Sequence, residues 1–201
     1  MQKPVLIFDL AETLIGGLFW MVEPAAKQLK VTEDAIREYF GGHHLVSFFQ
    51  GDLTEVQYWN TVLNLSGFNS SPKILGDLAR ESFKKTVPGM VSLLSRLSKY
   101  KRVLLSDHAR EWIDYIDQKH DFLQKLDQRF LSFEMKSTKH DHKTFDHVAQ
   151  ELGVRPENCL FIDDLTSNIE KAAQQGFRTI HFLNAAQLEK DLLHQGIIFD
   201  D

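Results

Sequence analysis

The residues of this chain that could do chemistry stand at the ends of short apolar runs or just ahead of a helical pattern. They are a carboxylate after VLIF, a hydroxyl ending VLLS, an ammonium in KSTKHDHKTF and two carboxylates after LFI: Asp9, Ser106, Lys139, Asp163 and Asp164. Carboxylates suit Mg²⁺, which prefers oxygen ligands and keeps several waters. A hydroxyl and an ammonium suit the oxygens of a phosphoryl group, which an aspartate could accept covalently. Together these residues predict Mg²⁺-dependent phosphoryl transfer.

Each of these residues also has a purely structural interpretation. Ser106 could cap a helix, Lys139 could be a solvated surface charge, and Asp163 with Asp164 could form another cap. Their combination is more specific than any single residue, because the carboxyl ends of parallel strands meet at one edge of a sheet. The prediction therefore depends on the apolar runs being such strands.

The apolar runs have the length and continuity of strands that are buried on both faces. The predicted strands cover residues 5–9, 103–106, 130–133, 160–162 and 179–182. Between the later runs, apolar residues recur at helical spacing, as in Phe145, Val148, Ala149 and Leu152. Alternating strands and amphipathic helices predict an α/β fold with a doubly wound, Rossmann-like parallel sheet.

The segment between the first two strands breaks this alternation. Helical patterns cover residues 20–30, 32–40, 54–65 and 72–85, with no convincing strand among them. The segment begins at Gly16-Gly17 and ends at Pro88-Gly89, pairs that suit pivots. We predict a core domain of residues 1–15 and 87–201 and a helical cap domain of residues 16–86, placed to cover the ligand crevice as a lid.

The order and spacing of the motifs resemble the haloacid dehalogenase superfamily over nearly the whole chain. Its first motif is D-x-D-x-T, of which DLAET supplies Asp9 and Thr13, and its second is a Ser or Thr at Ser106. KHDHKTFDHVAQELGV resembles the third motif from Lys139 onward without its two prolines, and FIDDLTSNI resembles the acidic fourth motif. In the inserted helices, QGDLTEVQYW is similar to the branch that holds sugar-phosphate phosphatases and the N-terminal domains of some epoxide hydrolases.

This resemblance implies a role for each matching residue. The sets are catalytic Asp9, Ser106 and Lys139; substrate-binding Thr13, Ser106 and Lys139; and Mg²⁺-binding Asp9, Ala11, Asp163 and Asp164. Asp9 would be the nucleophile. Asp164 would be a direct metal ligand, with Asp163 adjacent or acting through water. Residue 11 ligates through its backbone carbonyl in the family, and alanine retains that group.

The family's second aspartate, its general acid and base, is replaced here by Ala11. General acid and base assistance is typically worth about 10²–10⁴-fold, so the alanine implies slow chemistry, different chemistry or a substitute proton carrier. The candidate substitutes are Glu12, His108, His43 and His44. If the chain stays extended, Glu12 points away from Asp9. Because adjacent helical residues do not share a face, His43 and His44 cannot both face the pocket from one helix.

Three functions stay open at this stage. The first is an Mg²⁺-dependent phosphatase that acts on a small phosphorylated metabolite through an aspartyl-phosphate at Asp9. The second is dehalogenase-type or phosphonatase-type hydrolysis, because dehalogenases of this family lack the second aspartate and phosphonoacetaldehyde hydrolases carry alanine there. The third is a catalytically impaired module that binds a phosphorylated ligand. The Asp163-Asp164 pair argues against a dehalogenase, which uses no metal.

Composition argues against several other classes of protein. Hydrophobic content of 43% and charged content of 25% are ordinary for a globular chain, and a net charge of −5 gives no footprint for nucleic acid. No apolar run approaches the roughly 18 residues of a membrane-spanning helix, and no signal peptide precedes the first strand. The lone Cys159 allows no internal disulfide. We expect a cytoplasmic protein with a small phosphorylated substrate and neither nucleic acid nor membrane as a partner.

Overall fold

The core of the chain is a sheet of five parallel strands, seen in a computed structural model that describes residues 3–200. The strands are β1 (Val5–Phe8), β2 (Arg102–Ser106), β3 (Gln128–Leu131), β4 (Cys159–Asp163) and β5 (Arg178–His181). Their order across the sheet is β3-β2-β1-β4-β5, and every neighbouring pair is parallel. The predicted α/β fold with a Rossmann-like sheet is confirmed. Residues 1, 2 and 201, at the ends of the predicted core domain, lie outside the described residues.

Both faces of the sheet are buried, because successive residues of a strand point to opposite sides. In β1, Leu6 and Phe8 join a large apolar cluster that extends into the inserted helices, while Val5 and Ile7 join a smaller cluster on the other face. Within residues 3–200, six α-helices follow the insertion: α6 (Met90–Ser95), α7 (Arg110–Lys119), α8 (Ser132–Met135), α9 (Lys143–Leu152), α10 (Thr166–Gln174) and α11 (Ala185–His194). The carboxyl ends of the strands stay available for a ligand.

The inserted segment is helical throughout its described length. Its helices are α1 (Leu18–Leu29), α2 (Glu33–Phe40), α3 (His43–Phe49), α4 (Glu55–Ser66) and α5 (Pro72–Phe83). Thr32 caps α2 by accepting the Ala35 N–H, and Thr54 forms a capping box with Gln57 at the start of α4. Four of the five helices were predicted from their helical patterns, and these caps fix where two of them begin. The short α3, which follows two glycines, was not among the predicted helices.

The chain enters and leaves the inserted segment through two strands of backbone that lie side by side. Ile15 forms an antiparallel bridge with Thr86, the Gly16 N–H donates to the Lys85 carbonyl at 2.8 Å, and the Val87 N–H donates to the Leu14 carbonyl at 2.9 Å. These contacts lie beside the glycine and proline pairs that the sequence suggests as pivots. The domain division at residues 16 and 86 stays a prediction.

The third strand is shifted from its prediction. Residues 130–133 were expected to be extended, but the strand ends at Leu131 and Ser132 begins the short helix α8. The Ser132 hydroxyl accepts the His108 N–H at 3.0 Å and donates to the Phe49 carbonyl at 2.6 Å, which turns the chain toward the inserted helices. An apolar run alone does not show where such a turn begins. None of the helices over residues 3–200 is long and apolar enough to cross a membrane.

Candidate active site

A cavity of about 340 Å³ lies between the carboxyl edge of the sheet and the inserted helices. On the sheet side it meets charged groups from the ends of β1, β2 and β4 and from the loop before α9. We call this group the polar floor; Asp9, Asp107, Lys139 and Asp164 line the cavity, and the fully buried Asp163 lies behind them and completes the group. On the other side it meets apolar side chains, which we call the apolar wall: Val22, Ile36, Phe40, Phe49 and Phe83 from the inserted helices, with Trp112 from α7.

Lys139 holds the polar floor together. Its ammonium donates to Oδ1 of Asp9 and, at 2.7 Å, to Oδ2 of Asp163, and its own backbone N–H donates to both oxygens of Asp107 at 3.1 Å. Only 3% of Lys139 is exposed. Burial by itself would lower the pKa of this lysine, but the carboxylates of Asp163 and Asp9 raise it above its usual value. The lysine is therefore a buried, permanent cation that links three separate segments of the chain.

Asp9 lies at the end of β1 and is almost fully buried. Burial raises the pKa of its carboxyl well above the usual value, and the nearby Lys139 opposes that rise. Burial also raises the pKa of Asp107, again opposed by Lys139. A carboxylate that is held out of bulk water beside one cation is less solvated than one at the surface, which favours its use as a nucleophile.

Asp163 and Asp164 are adjacent in sequence but differ in their surroundings. Asp163 is fully buried, and its oxygens accept the Leu165 N–H at 2.8 Å and the Asn168 amide at 3.1 Å as well as the ammonium of Lys139. Asp164 lines the cavity, and burial followed by the charge of Asp163 raises its pKa to about 6. Asp163 thus positions Lys139, while the carboxylate of Asp164 faces the space where a ligand would lie.

Two predicted hydroxyls end close to the same edge of the sheet. Ser106 is the last residue of β2 and Thr13 follows the first motif; both are fully buried. Within residues 3–200, neither Oγ of Ser106 nor Oγ1 of Thr13 has a hydrogen-bond partner, and neither residue lines the cavity surface. Buried hydroxyls are normally paired, so these two are free to donate to the oxygens of a bound anion.

After β1 the chain turns at Ala11 and Glu12, whereas an extended chain was considered there from sequence. Ala11 lines the cavity, and Glu12, at φ 60°, takes the left-handed conformation that side chains rarely adopt. The chain is thus not extended at residue 12, so the condition for Glu12 to point away from Asp9 is not met, and both residues line the same cavity. Its Oε1 accepts the N–H groups of Gly17 at 3.1 Å and Phe19 at 2.9 Å, and burial raises its pKa to about 7.

Gly17 is required by this turn. A Cβ at residue 17 would lie 2.8 Å from the Cβ of Ala11 and 2.9 Å from Oε1 of Glu12. Both distances are shorter than a real side chain tolerates, so the first motif and the start of α1 approach closely only because this residue has no side chain. The loop that carries Asp9 is thereby fixed against the first inserted helix.

The three candidate histidines lie in different places. His108 lines the cavity and is buried; burial lowers its pKa to about 3, and its Nδ1 has no partner within the described chain. His44 instead bonds to the Tyr39 carbonyl at 2.8 Å, and His43 is exposed. Neither His43 nor His44 lines the cavity. With its pKa lowered to about 3, His108 is a neutral imidazole near neutral pH and lacks the imidazolium proton that an acid would give to a leaving group.

Comparison with known proteins agrees with this geometry. Residues 4–176 match the haloacid dehalogenase-like hydrolase family. The chain belongs to this family. Among curated proteins it is similar to flavin mononucleotide hydrolase 1 of Arabidopsis thaliana, a chloroplastic protein, with 26% identity over 98% of this chain and 79% of the relative.

Solved structures of haloacid dehalogenase-like hydrolases share the fold. A family enzyme of Bacteroides thetaiotaomicron, in complex with magnesium and inorganic phosphate, superposes with a TM-score of 0.71 at 22% identity, covering 92% of this chain and 96% of that one. A predicted family hydrolase from Porphyromonas gingivalis has a TM-score of 0.77 at 19% identity, covering 97% and 98%. The L-2-haloacid dehalogenase of Xanthobacter autotrophicus has a TM-score of 0.67 at 17% identity, covering 98% and 85%.

The donors in this hydrolase fit Mg²⁺ better than a metal that needs several protein ligands. Among residues 3–200, no three His, Cys, Asp or Glu side chains are grouped to hold a metal ion. Asp9, Asp164 and Ala11 nevertheless line one cavity, which brings two carboxylates and a backbone segment together. Mg²⁺ binds through one or two carboxylates and keeps several waters, so Asp9, Asp164 and the Ala11 carbonyl would suffice to hold it.

Sequence reasoning missed three parts of the site. Asp107 was given no role, although it directly follows Ser106 at the end of a predicted strand, where the other carboxylates of the floor also stand. Asn168, which fixes Asp163, stands in the first turn of α10 and was given no role. The apolar wall carried no specific signal, because its residues have the same spacing as any helix core.

Proposed function

We propose that this hydrolase is an Mg²⁺-dependent phosphatase that acts on a small phosphate monoester through an aspartyl-phosphate at Asp9. The observation that carries the proposal is the buried ammonium of Lys139, bonded to Asp9 and Asp163 at the floor of the cavity. The Asp9 carboxylate would repel the negative charge of a bound phosphate ester. Its presence beside the buried cation is therefore explained if it reacts with the phosphorus atom or binds the metal ion. Both uses apply to Asp9.

The residues divide the reaction between them as follows. A carboxylate oxygen of Asp9 attacks phosphorus while the bond from phosphorus to the ester oxygen breaks, and the departing alkoxide takes a proton from water or Glu12 to become the alcohol. Lys139 and the unpaired hydroxyls of Ser106 and Thr13 stabilise the charge on the phosphoryl oxygens. When bound, Mg²⁺ supplies further neutralisation of that charge. Water then hydrolyses the aspartyl-phosphate and regenerates the Asp9 carboxylate.

Proton transfer is the weak step of this mechanism. Ala11 offers a methyl group where the family has an acid, and His108 is neutral. Glu12 faces the cavity, but its Oε1 is already an acceptor for two N–H groups. Oε2 of Glu12, whose pKa burial raises to about 7, is then the one proton carrier left among these three residues, so the alcohol leaves with less assistance than an aligned aspartate would give. Esters of acidic alcohols should react fastest because their oxygen needs a proton least.

The relatives support a phosphate monoester as substrate. The A. thaliana relative is named for hydrolysis of flavin mononucleotide, which is itself a phosphate monoester. The B. thetaiotaomicron structure holds magnesium and inorganic phosphate, the metal and the product that the proposal requires. At 26% and 22% identity these proteins support the reaction class and leave this chain's own substrate open.

A second candidate function is a binding module for a phosphorylated ligand. Ala11 favours it, because the floor keeps its anion-binding groups while the acid and base is lost. The same protein would then bind phosphate esters without turning them over. The two functions differ in one measurable quantity, the release of phosphate.

The proposal is tested by measuring phosphate release from purified protein with acetyl phosphate and p-nitrophenyl phosphate, with Mg²⁺ or with a chelator. We expect release that requires Mg²⁺ and that falls at least about 10⁴-fold in Asp9→Asn, as for removal of other nucleophiles. Asp114→Asn, an aspartate outside the cavity lining, is the matched control. Release that persists in Asp9→Asn would contradict the nucleophile, and no release with tight phosphate binding would favour the binding module. Chloride release from 2-chloropropionate would instead favour a dehalogenase.

We also propose a cytoplasmic location. Cys159 is the only cysteine of the chain and is a buried free thiol, with its pKa raised to about 11 by burial. A free thiol fits a reducing compartment. Fractionation of the source cells with an antibody to the protein would test this location.

A further inference from the structure

The two sides of the cavity are built for different parts of a ligand. Among the described side chains that α1, α2, α3 and α5 present to the cavity, only Arg37 is polar, and it is paired with Glu33 at 3.1 Å. All the other groups that can bind phosphate lie in the polar floor or just behind it. The alcohol part of a bound ester would therefore lie against the apolar wall.

An apolar wall selects against sugars. Each hydroxyl of a polyhydroxylated alcohol would lose its bonds to water and find few partners in this part of the cavity. A site discriminates most strongly when buried polar groups are left unpaired, whichever molecule carries them. The branch resemblance to sugar-phosphate phosphatases therefore does not extend to the chemistry of this wall.

The wall is aromatic as well as apolar. The ring of Trp112 lies 5.1 Å from Phe83 at 54° and 6.1 Å from Phe49 at 74°, so the rings are tilted or edge-on to one another. Trp112 and Phe83 are fully buried and form the back of the wall, whereas the half-buried ring of Phe49 offers surface on which a further flat ring can pack. The Trp112 indole N–H is already bonded to Glu55 at 2.9 Å, so it is not a free donor for a ligand.

The aromatic surface also reaches the polar floor. His108 follows Asp107 directly, and its ring centre lies 5.2 Å from Phe83, 5.4 Å from Trp112 and 5.8 Å from Phe49. An aromatic group could thus lie close to the phosphorus atom. The cavity volume of about 340 Å³ is in the range of small-molecule sites and has room for a fused ring system beside a phosphate group.

We infer that the substrate is a phosphate monoester whose alcohol carries an aromatic ring system close to the ester oxygen. This inference rests on the proposed function for the position of the phosphate group. Beyond that function, it specifies which class of alcohol the ester contains. It accords with the proton step, because aromatic alcohols are acidic and leave without assistance more easily than aliphatic ones.

Equilibrium binding tests the inference without depending on turnover. The Asp9→Asn protein is titrated calorimetrically, with Mg²⁺ present, with 1-naphthyl phosphate, n-octyl phosphate and glucose 6-phosphate. We expect 1-naphthyl phosphate to bind at least about 100-fold more tightly than glucose 6-phosphate and more tightly than n-octyl phosphate. Equal binding of the naphthyl and glucose esters would overturn the inference. Tighter binding of the octyl ester would overturn its aromatic part.

A pair of variants locates the preference in the wall. Phe49→Ser removes a ring from the wall, whereas Phe68→Ser removes a ring of similar burial that packs on Tyr39 and does not line the cavity. We expect Phe49→Ser to lower the ratio of naphthyl to glucose affinity about 10-fold and Phe68→Ser to leave it unchanged. Equal effects of the two variants would contradict the location.

The outcomes separate this inference from the proposed function. If wild-type protein releases phosphate from both ester types at equal rates, the phosphatase stands and the aromatic preference fails. If it releases none but Asp9→Asn and wild type both bind the naphthyl ester preferentially, the aromatic preference stands and the phosphatase fails. Thermal unfolding of each variant confirms that a lost preference is not a lost fold.

Discussion

The polar floor and the apolar wall face each other across one cavity but are built on opposite principles. The floor joins residues up to 154 positions apart in sequence, from Asp9 to Asp163, through directional hydrogen bonds around one lysine. The wall comes mostly from one contiguous insertion and is held by packing of apolar rings. Under the proposed function, the reaction type would depend on the floor and the choice of alcohol on the wall, so one could change while the other is kept.

The two regions should respond differently to substitution. Each floor residue makes a small number of specific hydrogen bonds or ion pairs, and no neighbouring residue can make them instead. Its loss therefore leaves buried polar groups unpaired. A wall residue contributes non-directional contact, and a neighbour of similar volume can replace it with a modest loss. Predictions that place a change in one region and measure the other test this division.

The largest effect is expected from Lys139→Met, which removes the cation and keeps much of the side-chain volume. Asp9 and Asp163 would be left buried without their common partner, which should lower the free energy of unfolding by about 3–5 kcal/mol. Phosphate release should fall by about 10²–10³-fold, as for loss of a preorganised donor. Urea unfolding and a phosphate-release assay measure the two effects.

Lys143→Met is the control for Lys139→Met, since Lys143 is exposed at the start of α9. It should change neither quantity appreciably. The loss in Lys139→Met should also shrink as the pH falls, because the unpaired carboxyls can take up protons. A pH-independent loss, or a Lys139→Met protein as stable as wild type, would show that the floor is not organised around this lysine.

The next largest effect is expected from Ala11→Asp, which restores an acid in the floor. The Cβ of Ala11 is tight against Gly17, but residue 11 also lines the cavity, so the new carboxyl can extend there. Release of phosphate from an alkyl ester should rise by about 10²-fold, within the usual range for an acid or base. An aryl ester should gain much less, because its alcohol leaves without a proton.

Ala11→Asn separates the proton from the shape of the new side chain. It has nearly the volume of aspartate and cannot act as an acid, so phosphate release from the alkyl ester should stay at the wild-type rate. If Ala11→Asn gains as much as Ala11→Asp, the effect is one of packing. If Ala11→Asp gains equally on both esters, Ala11 does not limit proton transfer to the alcohol.

The floor could be predicted from sequence because charged residues rarely stand together at the ends of buried strands unless they bind a ligand or a metal ion. Asp9, Lys139 and Asp164 were each assigned by their position after an apolar run or before a helix, and parallel pairing of the strands brings them to one edge. The direction of Glu12 could not be predicted in this way, because a left-handed residue that is not glycine has no sequence signal.

The wall could not be predicted because which apolar side chains face the cavity depends on how all of the surrounding helices pack together. Phe49 could not be assigned to the cavity from sequence, because its spacing is that of any buried helix and the short α3 that carries it was not among the predicted helices. Trp112 comes from α7 in the core, and only the folded chain shows that it faces the insertion, where it bonds to Glu55 and packs on Phe49 and Phe83. Such contacts between distant helices depend on the whole fold.

A moderate effect is expected from His108→Phe, where the floor meets the wall. Unfolded histidine gains a proton below about pH 6.5, but the pKa of folded His108 is lowered to about 3 by burial and, secondarily, by Lys139. Its contribution to stability is therefore complete above pH 6.5 and is lost as the pH falls toward 3. Between pH 6.5 and 4.5 this residue should remove about 2 kcal/mol from the free energy of unfolding.

The His108→Phe variant should lack that part of the pH dependence and keep the rest. Urea unfolding at pH 6.5 and pH 4.5 gives the difference between variant and wild type, in which the contributions of all other groups cancel. His194→Phe, at an exposed position near the end of α11, should retain the wild-type slope. Equal slopes for wild type and His108→Phe would contradict a buried, neutral histidine.

The smallest effect is expected from Ser132→Ala, which cuts one link between the regions. The Ser132 hydroxyl accepts the His108 N–H and donates to the Phe49 carbonyl, so it joins the end of β2 to the wall. Its loss should lower the free energy of unfolding by about 1–3 kcal/mol, the range for a buried group left unpaired. The KM for an aryl phosphate should rise more than kcat falls, because Phe49 is released while the polar floor is intact.

Ser82→Ala is the matched control for Ser132→Ala, because Ser82 is equally buried but bonds only to the Ala79 carbonyl of its own helix. It should lose a similar free energy of unfolding without a change in KM. If both serine variants raise KM alike, general loosening of the fold explains the effect. If Ser132→Ala lowers kcat alone, the link acts on the floor instead, and the separation of reaction from choice of alcohol fails at the residue where the two regions meet.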